Sequence, residues 1–364
     1  MKVAIVAPLV SPIREPQRGG SQAFLSELAR GLVGRGHAVH LYAASGSEVR
    51  GVEVIDTGID HRDLEATLYR AAGAGAAGSG PAESAFARVY ALIRKDGYDL
   101  VHNHAFDAPA IGLASDLGAP VLHTVHLPPE RKVADALREA ARGEPAPAVA
   151  CVSAAQANAW RRIVAVDAIL QPYIPTRRIP FSPAAGSGAL FAGRLSPEKG
   201  AADAIAIARI AGIPIEVFGD RYDEQYARSR IDPVSAGRRV VVRPAVSQNE
   251  LWRAMGSAAV VLCPAKWDEP FGMVAAEAQA CGTPVVAFRR GALDEVIVDG
   301  VTGFLVAPDD LRAAAAAVGD TPALSREVCR AHAETHLDIE RSLDAHERVY
   351  EQLAGAAAGA RAGG

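Results

Sequence analysis

Short runs of β-branched and aliphatic residues alternate with alanine-, leucine- and arginine-rich stretches of helical period along nearly all of this 364-residue chain. Parallel strands must be joined by a long crossover, usually a helix. The alternation therefore restricts the chain to α/β architecture, with helices covering both faces of parallel sheets. Strands are expected near Val3–Ala7, Ala38–Ala43, Leu100–Asn103, Val121–Val125 and Val149–Val152, which make one domain. A second domain is expected from Leu190–Gly193, Ile215–Gly219, Val240–Arg243, Val260–Cys263, Pro284–Phe288 and Phe304–Val306, with helices at Ala201–Ala211 and Asn249–Gly256 between them. The chain is long enough for each domain to bury its own core. The prolines at 172, 175, 180 and 183 mark the junction as a hinge. The expected limits are 1–172 and 173–337, with an amphipathic helix over 338–353 and a disordered Ala/Gly/Arg tail over 354–364. The nearly all-Ala/Gly stretch Ala71–Pro81 reads as a mobile loop.

The segment from Glu269 to Glu277, Glu-Pro-Phe-Gly-Met-Val-Ala-Ala-Glu, carries the most chemistry. Pro270 biases Glu269 away from helical backbone, whereas Gly272–Ala280 reads as a helix that begins just after it. The free amides and positive dipole end of that helix, at Gly272, Met273 and Val274, suit a diphosphate. Glu277, about a turn and a half in, would then accept hydrogen bonds from a ribose beyond the phosphates. Upstream, Gly193-Arg194-Leu195-Ser196-Pro197-Glu198-Lys199-Gly200 follows an apolar run and precedes a helical pattern. There Arg194 supplies a planar fork and Lys199 a point charge for the same diphosphate.

Gly19-Gly20 follows the first strand and precedes a helix at Gln22–Leu32, where a missing β-carbon lets phosphate or sugar approach. No G-x-G-x-x-G follows Val6, which makes a nicotinamide enzyme a minor alternative. His102, His104, His123 and His126 lie at the ends of two expected strands, where open α/β sheets bind ligands. His332 and His336 share a helix face but lack the zincin order, and a solvated face is the expectation. Trp267 is either a loop anchor or a platform for a sugar face.

The basic segment Gly193–Gly200 followed by the carboxylate segment Glu269–Glu277, with strands and helices alternating between them, resembles the retaining glycosyltransferases of family 4. The resemblance extends to Arg18-Gly19-Gly20-Ser21, Asp99–His104, Thr124-Val125-His126, Val152-Ser153, Gly291–Ile297 and Asp299–Val306. It implies the GT-B fold, two Rossmann-like domains facing each other across a cleft, and transfer of a hexosyl group from a nucleoside diphosphate sugar to an acceptor hydroxyl. It also implies donor contacts at Gly19, Gly20, Arg194, Lys199, Gly219, Phe271, Gly272, Met273, Val274 and Glu277. Acceptor contacts are implied at Gly20, His104 and His126, and catalytic roles for His126, Glu269, Arg194 and Lys199. Where the family commonly has an Asn-Gly turn at the junction, this chain has Gln171-Pro172-Tyr173.

Stabilisation of the departing diphosphate by Arg194, Lys199 and a helix start removes the need for a bridging metal, so no obligatory cofactor is expected. The donor expected first is a UDP-sugar, with GDP- and dTDP-sugars as alternatives. A nucleotide-sugar 2-epimerase of the same fold would turn over donor without acceptor, and a non-catalytic sugar-nucleotide-binding protein would do neither. A phosphorylase would need a pyridoxal lysine, and no segment singles one out.

A formal net charge of −4 argues against nucleic acid as a partner. Basic pairs such as Arg131-Lys132 are too short to predict membrane contact. No run reaches the ~18 uninterrupted apolar residues of a span, and the chain enters directly into a strand, so a cytoplasmic protein acting on a small soluble acceptor is expected. Cys151, Cys263, Cys281 and Cys329, lacking a C-x-x-C spacing, are expected as reduced thiols.

Overall fold

The computed structural model describes residues 1–67, 80–184, 186–235 and 239–362. All but two residues of the expected Ala71–Pro81 loop lie outside them, and Gly80 and Pro81 open a helix, Gly80–Ile93. The chain divides into two compact units. The first comprises residues 1–14, 21–172 and 342–364, and the second residues 15–20 and 173–341.

The first unit is built on seven strands: β1 (Lys2–Val6), β2 (Ala38–Ala43), β3 (Glu53–Asp56), β4 (Leu100–Asn103), β5 (Val121–Val125), β6 (Ala148–Cys151) and β7 (Ala168–Ile169). They run parallel in the order β3-β2-β1-β4-β5-β6-β7. The second unit has β8 (Ala189–Ala192), β9 (Ile215–Phe218), β10 (Val240–Arg243), β11 (Val260–Cys263), β12 (Val285–Phe288) and β13 (Gly303–Val306). These too are all parallel, ordered β10-β9-β8-β11-β12-β13.

Both orders are doubly wound, with the winding direction reversing between β1 and β4 and between β8 and β11. At such a switch point the loops leaving two neighbouring strands diverge to opposite faces and leave a crevice at the strands' carboxyl ends. Central strands are buried on both faces and read as continuous apolar runs, as in Val3–Val6 and Val260–Leu262, each 0–1% exposed. In the second unit the core joins Phe191, Ile205, Val217, Leu262 and Phe288 between sheet and helices.

Two expectations need correction. The expected tail is helical over 354–362, because the C-terminal helix runs from Ile339 to Ala362, and residues 363–364 lie outside the described residues. Alanine loses almost no side-chain entropy in a helix, so Ala354 and Ala356–Ala358 help propagate, across Gly355, a helix that the preceding residues have already nucleated. Strands β3 and β7 were not expected from the sequence: β3, Glu-Val-Ile-Asp, is an edge strand with acidic ends and no fully buried residue, and β7 is only two residues long. Among the described residues no helix is long and apolar enough to cross a membrane, and all four cysteines are free.

Candidate active site

In the second unit, the loop after β8 carries Arg194–Gly200 and the loop after β11 carries Pro264–Gly272. Because β8 and β11 flank the switch point, residues far apart in sequence meet there. The Lys199 ammonium lies 3.0 and 2.9 Å from the two carboxylate oxygens of Glu269. Trp267 Nε1 donates to Glu269 Oε2 at 2.7 Å, and the Lys199 ammonium sits 4.7 Å from the centre of the Trp267 ring. Trp267 thus anchors the carboxylate and cradles the cation. The Ala292 amide donates to the Glu269 carbonyl at 2.8 Å. Gly291 lies so close that a β-carbon there would come within 2.3 Å of Glu269 backbone nitrogen and oxygen, at a φ of 60°. Only glycine meets both requirements.

Arg194 does not join this pair in the described contacts. Its guanidinium stands 4.5 Å from the Tyr222 ring centre and donates to Glu198 Oε1 at 3.2 Å, which also accepts from Ser196 Oγ at 2.7 Å. Tyr222 and Glu198 carried no sequence signal as site residues, since loop acids and tyrosines are ordinarily solvated. Gly219 directly follows β9, and a β-carbon on it would lie 1.9 Å from the Gly193 carbonyl oxygen, so its lack of a side chain serves strand-end packing against the Arg194 loop.

Helix Met273–Ala280 begins where expected, on Gly272 in left-handed backbone. Helix geometry leaves the amides of Met273 and Val274 without intrahelical acceptors. From Ala275 to Ala280 every residue is buried, so the polar ones need partners. Glu277 accepts from Trp252 Nε1 at 3.1 Å, and Gln279 bonds the Ala275 and Val296 carbonyls and meets His332 Nδ1 at 2.8 Å. His332 is thereby tied into the packing, while its ring still lies 5.0 Å from that of His336 on the same helix. Phe271 is 3% exposed and stacks edge-on against Tyr173 of the atypical junction, with ring centres 5.8 Å apart. Cys263, at the end of β11, has its thiol pushed up to about 12 by burial and then by the Glu269 carboxylate, which silences it as a nucleophile at neutral pH.

The glycine pair sits in the segment 15–20 that packs with this unit. A β-carbon on Gly20 would lie 3.1 Å from Met273 Cγ, at the start of the helix. Nearby, the Gln248 amide donates to Glu15 at 3.1 Å, and Arg18 reaches Asp220 at 3.9 Å.

In the first unit, the carboxyl ends of β4 and β5 and the residues that follow them gather histidines. His104 Nδ1 lies 2.9 Å from His126 Nε2, and His104 Nε2 lies 3.2 Å from His102 Nδ1. His123 points elsewhere, with Nδ1 3.0 Å from Asn103 Nδ2. His346 and Tyr350, from the C-terminal helix, complete the cluster, with ring centres 5.7 and 5.5 Å from His102. Burial holds His102 and His104 well below the usual histidine range and pushes His123, His126 and His346 down to about 4.

A group whose folded pKa is depressed binds fewer protons than in the unfolded chain. Its stabilisation is therefore present above about pH 6.5 and lost as pH falls towards 4. Each unit of depression is worth about 1.4 kcal/mol. The urea midpoint should drop steadily between pH 6.5 and 4. A midpoint flat across that window would show that these imidazoles are not buried neutral.

Comparison with known proteins agrees with this geometry. A family described as Glycosyltransferase Family 4 matches residues 18–171, and one described as Glycosyl transferases group 1 matches residues 179–323. The chain is 30% identical to a D-inositol 3-phosphate glycosyltransferase of Streptomyces avermitilis, over 91% of this chain and 83% of that protein. It is 31% identical to the enzyme of the same name from Mycobacterium avium, over 85% and 82%. Among solved structures it resembles a sucrose-phosphate synthase from Thermosynechococcus elongatus, with a TM-score of 0.77, 21% identity and coverage of 98% and 99%. It also resembles Anabaena HepE in complex with UDP and glucose, with a TM-score of 0.73, 19% identity and coverage of 98% and 100%. Two doubly wound parallel sheets, a glycine-capped helix beside a Lys-Glu pair and these matches place the chain in glycosyltransferase family 4, with the GT-B fold.

Proposed function

We propose that this protein transfers a hexosyl group from a nucleoside diphosphate sugar to a hydroxyl of a small soluble acceptor in the cytoplasm, with retention at the anomeric carbon. The observation that carries this reading is the Lys199–Glu269 pair, held by Trp267 next to the helix start at Gly272. Cation and carboxylate side by side suit a reaction in which a diphosphate gains negative charge while the sugar carbon gains positive charge.

In this mechanism the bond between the anomeric carbon and the β-phosphate oxygen breaks, and the acceptor oxygen bonds to the carbon on the same face. The acceptor proton passes to the leaving phosphate. Lys199, Arg194 and the amides of Met273 and Val274 stabilise the departing charge. Glu269 holds sugar hydroxyls or supports oxocarbenium character. Glu277, oriented by Trp252, is assigned to the ribose. Gly19 and Gly20 leave room for phosphate or sugar beside Met273, and Gly219 and Phe271 frame the loops that hold the nucleotide. His126 and His104 are assigned to hydroxyls on the acceptor side. Closure about the proline-rich junction would exclude water.

HepE is described in complex with UDP and with UDP-glucose, so UDP-sugars lead the donor panel. The name of the relatives, D-inositol 3-phosphate glycosyltransferase, puts phosphorylated polyols first among acceptors. Thermal shift across nucleotide sugars, followed by product analysis with each acceptor, tests the reading. Net transfer that survives a chelator, with retained anomeric configuration, is expected. Isomerised donor without acceptor would replace transfer with epimerisation. Binding without turnover would make this a binding protein, and rescue of chelated enzyme specifically by magnesium or manganese would reassign the charge stabilisation.

A further inference from the structure

The histidines of the first unit form one hydrogen-bonded chain that ends on the C-terminal helix. Tyr350 Oη lies 2.6 Å from His102 Nδ1, and His102 Nε2 lies 2.7 Å from Thr124 Oγ1. The chain continues through His104 to His126 Nε2 by the contacts given above. None of its members is more than 8% exposed. Burial keeps the imidazoles neutral, and a neutral imidazole has one donor and one acceptor nitrogen. The choice at His102 therefore propagates to His126.

If His102 carries its proton on Nε2 it donates to Thr124, and the one lone pair of its Nδ1 is shared by the Tyr350 hydroxyl at 2.6 Å and, more weakly, by His104 Nε2–H at 3.2 Å. His104 Nδ1 is then an acceptor. His126 must donate from Nε2, which leaves its Nδ1 with a lone pair. The opposite placement puts the proton on His102 Nδ1 and reverses every bond. It also strands the buried Tyr350 hydroxyl proton, for which the described residues offer no second acceptor. A buried donor left unmade is the costlier state. His346, the other ring beside Tyr350, does not take that proton, since its Nε2 has no hydrogen-bond partner.

We propose that Tyr350, acting through His102 and His104, is a positioning residue that fixes His126 as its Nε2–H tautomer and so presents His126 Nδ1 as a hydrogen-bond acceptor to a substrate hydroxyl. This rests on the role given to His126 above. It assigns a part in the chemistry to a residue on the C-terminal helix, remote in sequence from either strand that bears the histidines.

Selective 15N-histidine labelling of the full chain reads the tautomer of His126 directly, the signal being assigned by its loss in His126→Gln. The wild-type protein should show His126 protonated at Nε2. Tyr350→Phe, which removes only the hydroxyl, should give a mixture of tautomers and lower transfer turnover about two- to tenfold. Thr124→Val removes the acceptor that holds the proton on His102 Nε2 while keeping side-chain volume, so it should drive His126 towards Nδ1–H. A single unchanged Nε2–H tautomer in both variants would overturn the proposal. So would a Tyr350→Phe enzyme that loses turnover with its tautomer intact, because that is the mark of a structural role alone. The spectra need no acceptor, so they decide this point even where the transferase reading fails.

Discussion

Lys199→Ala should lower transfer by about ten- to a hundredfold and weaken nucleoside diphosphate binding with it. A charge-assisted hydrogen bond to phosphate is worth about 1.5–3 kcal/mol and strengthens as the leaving group gains charge. The structure makes the effect larger than that of a lost contact, because the ammonium also neutralises Glu269, whose side chain is 17% exposed. Without Lys199 an incoming diphosphate meets an unbalanced carboxylate. Arg194→Ala should follow the same direction with a smaller loss, since Arg194 is 30% exposed and already shared with Glu198. The double variant Lys199→Ala with Glu269→Gln should regain part of the lost diphosphate affinity, because it removes the repulsion along with the cation. Titration calorimetry with the nucleoside diphosphate, paired with turnover, reads all three. Wild-type affinity and turnover in Lys199→Ala would remove the cation from the mechanism.

The two glutamates should fail differently. Glu269→Gln is expected to leave nucleoside diphosphate affinity nearly unchanged while lowering turnover, because its proposed partners are the sugar and the charge at the anomeric carbon. Some loss of order in the loop is expected too, since the glutamine cannot hold both the Lys199 ammonium and the Trp267 indole as an anion does. Glu277→Gln should chiefly weaken binding of the nucleotide, including the form that carries no sugar, through the ribose contact. Its carbonyl oxygen can still accept from Trp252, so the helix should keep its fold. Loss of diphosphate binding in Glu269→Gln, with binding retained in Glu277→Gln, would exchange the two roles and require the donor to be placed afresh.

Local physics was legible in the chain. Pro270 before Gly272, with helix formers to Ala280, specifies a loop carboxylate followed by a helix start, because proline restricts the residue before it and glycine alone adopts the left-handed cap without strain. Strands β2, β4, β5, β10 and β11 have the limits their sequence runs suggest, and in the central strand β11 burial on both faces writes an unbroken apolar stretch. The alanines after Leu353 are low in complexity yet high in helix propensity, and in this chain propensity wins because a helix already precedes them.

The partners were decided by tertiary structure alone. Lys199 meets Glu269 because β8 and β11 are neighbours across a switch point, and strand order is set by the packing of whole layers, which no local window contains. The same holds for Trp267 turning its indole onto that carboxylate, Tyr222 lying under Arg194, and Tyr350 reaching His102 from a helix at the other end of the chain. Residue type and spacing determined which groups could bind phosphate, sugar or proton. Long-range burial determined which of them are paired, neutral and held in place, because a polar group taken out of water must find its partner wherever the fold brings one within reach.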